Sequence, residues 1–96
     1  MITKKYLKDG KKCTVKFELA TGTNASKAYL SGDFNDWTPE EMKRLKNGSF
    51  SVSLKLDANR KYQFRYRLDE DRWENESNAD GVASNPFGSQ DSILQL

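Results

Sequence analysis

Three stretches of this chain alternate apolar and polar residues with a period of two, and no other pattern in the sequence constrains its fold as strongly. Cys13, Val15, Phe17 and Leu19 alternate with Thr14, Lys16 and Glu18; Phe50, Val52, Leu54 and Leu56 with Ser51, Ser53 and Lys55; Tyr62, Phe64, Tyr66 and Leu68 with Gln63, Arg65 and Arg67. A β-strand places alternate side chains on opposite faces, so each stretch is expected to be a strand with one face in a core and one in water. Turn residues fall between them. Asp9-Gly10 follows a short Tyr6-Leu7 strand, and Asn47-Gly48 separates a Met42–Leu45 stretch from Phe50; both dipeptides suit hairpins, whose tips need positive φ. Further strands are expected at Lys27 to Ser31 and Ser92 to Gln95. Thr38-Pro39-Glu40-Glu41 has the composition of one helical turn, with Thr38 as cap and Pro39 at the first position. The polar stretch Glu74 to Ser84 reads as one long loop. About seven short strands predict an all-β, antiparallel sandwich of immunoglobulin-like type, filling residues 1–96 as one domain. A Cys…Trp…Cys pattern is missing, so an antibody-type domain is not supported.

Composition decides whether such a core can form and what chemistry it can host. Leu, Ile, Val and Phe make up 19 of 96 residues, near the one-fifth below which highly charged chains stay disordered. A net charge of only +2 and six further rings from Trp and Tyr favour a folded domain with an aromatic core. Histidine is absent, which removes Ser-His and Cys-His nucleophile pairs and His-bearing zinc sites. Asp33 and Asp36 share a short loop without the Gly and terminal Glu of a calcium loop, so turn-forming roles are expected and no metal or cofactor. Cys13 has no partner for an internal disulfide, and no apolar run nears membrane-spanning length; a cytoplasmic protein with no membrane contact is the expectation. Lys4, Lys5, Lys8, Lys11 and Lys12 raise nucleic-acid binding, but no recognition motif accompanies them, and lysines also protect an edge hairpin from aggregation.

Tyr29-Leu30-Ser31-Gly32-Asp33-Phe34-Asn35-Asp36-Trp37 leads from a strand into a polar turn carrying two rings. Trp37 lies in no hydrophobic period, which suits a displayed stacking surface, although a Trp is often simply buried. Gly32-Asp33-Phe34-Asn35-Asp36-Trp37, Met42, Asn47-Gly48-Ser49-Phe50, the run Tyr62 to Asp69, Arg72-Trp73, Ala79-Asp80 and Asn85-Pro86-Phe87-Gly88 together resemble, in order and spacing, the glycogen-binding, isoamylase N-terminal-like modules. These are the family 48 carbohydrate-binding modules of starch-branching and debranching enzymes and of AMP-activated kinase beta subunits. The resemblance runs from about Cys13 to Leu96.

It implies an immunoglobulin-like sandwich and a non-catalytic site for an α-1,4-glucan. Position by position, Trp37 and Trp73 match the two stacking tryptophans, Arg65 the basic residue that bonds sugar hydroxyls, and Phe87 the apolar side chain of the loop. Ser89 and Asp91 fall where a hydroxyl residue and an asparagine complete the site. A sugar ring has an apolar C–H face and a hydroxyl rim, so indoles take the face and polar side chains the rim. Two departures stand out. Asp91 replaces an amide, losing two donors and adding a charge, and the turn Asp69-Glu70-Asp71-Arg72-Trp73 is one residue longer than the usual Asp-Gly-x-Trp. Enzymes of this family carry their carboxylate pair on a separate barrel, so no catalytic residues and no enzyme activity are expected. Two other readings stay open: a regulatory or protein-interaction sandwich that has lost sugar binding, and an accessory domain for a separately encoded α-glucan-active enzyme. In either case Arg65 simply faces solvent and Phe87 caps one end of the sandwich.

Overall fold

A computed structural model of the chain describes residues 1–19, 25–70, 72–86 and 88–96. The three alternating stretches are the strands β2 (Lys12–Leu19), β6 (Phe50–Asp57) and β7 (Lys61–Leu68), and around them run β1 (Ile2–Tyr6), β3 (Ala28–Gly32), β4 (Glu40–Glu41), β5 (Lys43–Arg44), β8 (Arg72–Glu74), β9 (Gly81–Ser84) and β10 (Gln90–Gln95). Two antiparallel sheets result: one in the order β1-β2-β6-β5, the other β4-β3-β7-β10-β9, with β8 also on β7. They face each other as an all-β sandwich of immunoglobulin-like type. No described helix is long and apolar enough to cross a membrane.

Period two translates directly into burial on β2 and β7. Cys13, Val15, Phe17 and Leu19 meet Tyr62, Phe64, Tyr66 and Leu68 across the interface, and all eight are buried. On β6 only Phe50 and Leu56 are buried, while Val52 and Leu54 pack partly against the same core. Phe17 and Phe64 meet edge to face at 5.3 Å between centroids, and Phe64 meets Tyr66 the same way at 5.7 Å, the offset geometry that ring quadrupoles favour.

Both predicted hairpin tips are present. Gly48 takes φ 88° and Gly10 φ 69°, values at which a Cβ is strained. The first tip is a three-residue loop, closed by Leu45 N–H to the Ser49 carbonyl at 2.8 Å and Gly48 N–H to the Leu45 carbonyl at 3.0 Å. The first strand lies earlier than Tyr6-Leu7, because β1 pairs with β2 from Ile2↔Phe17 to Tyr6↔Cys13. Lys4 is no idle edge charge: its ammonium donates to Asp80 Oδ2 and the Gln95 carbonyl, both at 2.8 Å, bridging the two sheets.

Three sequence expectations need correction. Glu40 and Glu41 do not continue a helical turn; they pair with Leu30 and Tyr29 as β4, and among the described residues the one short helical turn is a 3-10 turn earlier, at Asp33–Asn35. Glu74 to Ser84 is not one loop, because Glu74 belongs to β8 and Gly81–Ser84 pairs with β10 as β9. Within it Glu76 is buried, its N–H donating to Ser92 Oγ at 2.9 Å and its carboxylate accepting from Tyr66 OH at 2.8 Å. The strands therefore number ten among the described residues.

Candidate functional site: an aromatic groove on the outer face of one sheet

The turn after β3 determines where Trp37 can go. Gly32 is pressed against β7, such that a Cβ there would stand 2.7 Å from the Gln63 carbonyl oxygen and 2.8 Å from Phe64 Cβ; no larger residue fits without displacing the strand. Asn35 accepts from Gly32 N–H at 3.0 Å and donates to the Leu30 carbonyl at 3.2 Å, closing the turn. Phe34 then folds inward, 5.6 Å from Phe17 and 5.9 Å from Tyr62. Of the two rings in this turn, one joins the core and only Trp37 is displayed.

Trp37 is held rather than loose. Asp36 and Trp37 both adopt left-handed backbone conformations, φ 53° and 60°, each costing on the order of 1–3 kcal/mol for a residue with a side chain. Trp37 N–H donates to the Gly32 carbonyl at 2.9 Å, Thr38 N–H to the Asn35 carbonyl at 3.0 Å, and the indole Nε1 to Asp33 Oδ1 at 3.1 Å. The other Asp33 oxygen accepts from Gln63 N–H on β7 at 2.8 Å. Asp33 thus ties the indole to the central strand, a bridging role beyond turn formation.

Trp73 arrives from the other side. It is in a strand, β8, opposite Arg67, so its side chain lies on the same outward face as the polar residues of β7. Leu68 pairs with Arg72 across the long turn, with Asp69 at φ 55°; Asp71 of that turn lies outside the described residues. Arg65 places its guanidinium 5.0 Å from the Trp73 ring centroid, a cation–π contact that holds the indole upright. Its Nη1 donates to Ser89 Oγ at 3.3 Å, and its Nε stands 3.9 Å from Asp91 Oδ1.

The β9–β10 tip supplies the last wall. Asn85 N–H donates to the Ser89 carbonyl at 2.9 Å, and Gly88 takes φ 81°. The Asn85 amide reaches Ser89 Oγ at 2.9 Å and Asp91 Oδ1 at 3.1 Å. Asp91 is buried, so its carboxylate serves Asn85 and Arg65 more than open solvent. Phe87 lies outside the described residues.

Trp37, Trp73, Arg65 and Asp91 therefore line one groove of about 550 Å³, with Ser89 at its margin through Arg65. Trp37 is 37% and Trp73 42% exposed, which excludes the buried alternative for both indoles. Asp33, Gln63, Asn85 and Pro86 complete the lining; all four lie within the motif stretches, but none is a binding candidate from sequence, because nothing in those stretches says which of their side chains face the groove. No cluster of three or more metal-ligating side chains occurs among the described residues. Chemically the groove offers two apolar flats, a cation, carboxylate and amide oxygens, and amide hydrogens, suited to a ligand with apolar faces and a polar rim.

Fold and groove define an immunoglobulin-like sandwich with an open aromatic groove on the outer face of one sheet. No family model matches the chain, nor does any curated protein. Among solved structures it is similar to the enterobactin esterase FES from Shigella flexneri, both in the presence of 2,3-dihydroxy-N-benzoyl-serine (TM-score 0.76, 13% identity) and of enterobactin (TM-score 0.73, 13% identity). A further structure of enterochelin esterase from Shigella flexneri matches with TM-score 0.69 at 12% identity. The matches cover 98–99% of this chain and 32% of each esterase chain, so this chain spans about a third of their length. At such identity the likeness is one of fold.

Proposed function

We propose that this chain is a non-catalytic module that binds α-1,4-glucans such as glycogen, starch or malto-oligosaccharides. The observation that carries this reading is the display of Trp37 and Trp73 on one groove, with Arg65 stacked on Trp73 and bonded to Ser89 at the margin. Stacking on indoles accepts the C–H face of a pyranose, while Arg65, Ser89 and Asn85 serve the hydroxyl rim. An open, partly wet groove of this kind binds with modest affinity. The resemblance to family 48 carbohydrate-binding modules points the same way, and the lone buried thiol suits a cytoplasmic setting.

Affinity electrophoresis through gels with and without glycogen tests the reading. Wild-type protein should be retarded by glycogen, and Trp37→Ala and Trp73→Ala should each weaken retention about tenfold, some 1.4 kcal/mol. Equal mobility of wild type in both gels would reject sugar binding.

A further inference from the structure

Beyond Trp73 the same sheet face continues. In the antiparallel register Arg67 stands opposite Trp73 on one side and Tyr29 on the other, so the three side chains form one row across β3, β7 and β8. With strands about 4.8 Å apart, the two aromatic residues are roughly 10 Å from each other. The Arg67 guanidinium lies 4.6 Å from the Tyr29 ring centroid, repeating one step over the stack that Arg65 makes on Trp73. Past Tyr29 opens a second cavity of about 530 Å³, walled by Tyr29, Lys27, Ser26, Asp69 and Glu70. Its floor is fixed, because Asp69 Oδ1 accepts from Ser26 N–H at 2.9 Å and Lys27 N–H at 3.1 Å, while Asp69 N–H donates to the Lys27 carbonyl at 2.8 Å.

Buried polar atoms that make no hydrogen bond fall on this same surface, Arg65 Nε among them with only its longer ion-pair contact to Asp91. Among the described residues, the buried side-chain nitrogens and oxygens with no hydrogen bond are Ser31 Oγ, Arg65 Nε and Arg67 Nε. Ser31 is opposite Arg65, so all three belong to one face of β3 and β7. Buried polar atoms rarely stay unpaired, and the run of them leads from the groove toward Tyr29.

We infer that the cavity at Tyr29 is a second station for the same glucan chain, reached over Arg67, so that this module prefers long chains to short ones. The inference rests on the glucan reading of the groove. Tyr29 supplies a flat apolar wall, Lys27 a donor, and Glu70 an acceptor, the complement a pyranose unit needs. Two stations on one polymer add their contacts without a second association cost, so affinity rises once the ligand spans both.

Titration of the wild-type protein with maltotriose and with maltoheptaose, followed by tryptophan fluorescence and by amide chemical shifts, tests this. Maltoheptaose should bind at least roughly fivefold tighter and shift the amides of Ser26 to Tyr29, which maltotriose should leave in place. Tyr29→Ala and the surface change Lys27→Ala should erase the advantage of the longer sugar and leave maltotriose affinity unchanged. Equal affinity for both sugars, unshifted amides at Ser26 to Tyr29, or a length advantage that survives both variants would overturn the second station while leaving the groove intact. Failure of wild type to bind either sugar would overturn the glucan reading and the second station together.

Discussion

Single atoms decide how the groove is held. Asp33 uses both carboxylate oxygens, one for the Trp37 indole and one for Gln63 N–H. Asp33→Ala leaves both donors without this acceptor and is expected to cost about 1–3 kcal/mol of stability in urea unfolding, along with weaker glycogen retention as Trp37 loses its tether. Gly32→Ala should cost a similar roughly 1–3 kcal/mol for a different reason, because the new methyl collides with the β7 backbone. Asp91 makes the opposite test. Its carboxylate faces Arg65 Nε and accepts from Asn85, so Asp91→Asn keeps an acceptor, releases Arg65 from its counter-charge and adds two donors. Malto-oligosaccharide affinity should then rise roughly threefold; an unchanged value on titration would mean that this carboxylate does not face the ligand.

At the scale of elements, the hairpin tip at Asn47-Gly48 invites a local test. Gly48→Ala should lower stability by about 1 kcal/mol because its φ of 88° suits only glycine well, with sugar binding unaffected since this tip lies away from the groove residues. The long strands were legible because β2 and β7 alternate without interruption and bury one whole face. β4 was not, since two glutamates have poor strand preference and pair only because β3 offers them an edge. β9 escaped notice for a similar reason: Gly81–Ser84 is short, half exposed, and made a strand by β10. Site legibility divided along the same line. Trp37, Trp73 and Arg65 carry recognisable motif chemistry, whereas Asp33, Gln63 and Asn85 acquire their places only when β3, β7 and the β9–β10 tip converge. Ring type alone does not say which of the two neighbouring aromatics, Phe34 or Trp37, turns inward, and only the packing of Phe34 on Phe17 and Tyr62 decides it.

Taken as a whole, the molecule is stitched between its sheets by buried or bridging charges. Lys4 on β1 reaches Asp80 and Gln95, and the N-terminal ammonium donates to Glu76 Oε1 at 2.7 Å. Burial alone would raise the Glu76 carboxyl, but hydrogen bonds from the ammonium, Asn78 N–H and Tyr66 OH outweigh it and hold the group below its ordinary value of 4.5. Folding therefore favours the ionised form, and this contribution is complete above pH 4.5 and fades as acid titrates the carboxylate through its lowered folded value. Thermal melts should show a midpoint that drops on acidification below pH 4.5, and a shallower drop for Glu76→Gln, which starts from a lower midpoint at neutral pH. A parallel acid dependence in the two proteins would place the effect elsewhere. The sealed position of Cys13, a core residue with none of its surface exposed, gives the molecule a built-in stopwatch. A thiol reagent can reach that sulfur only when the sheets part, so the rate at which the lone cysteine is labelled counts the openings of the sandwich, and any sugar that clasps the folded state should slow the clock.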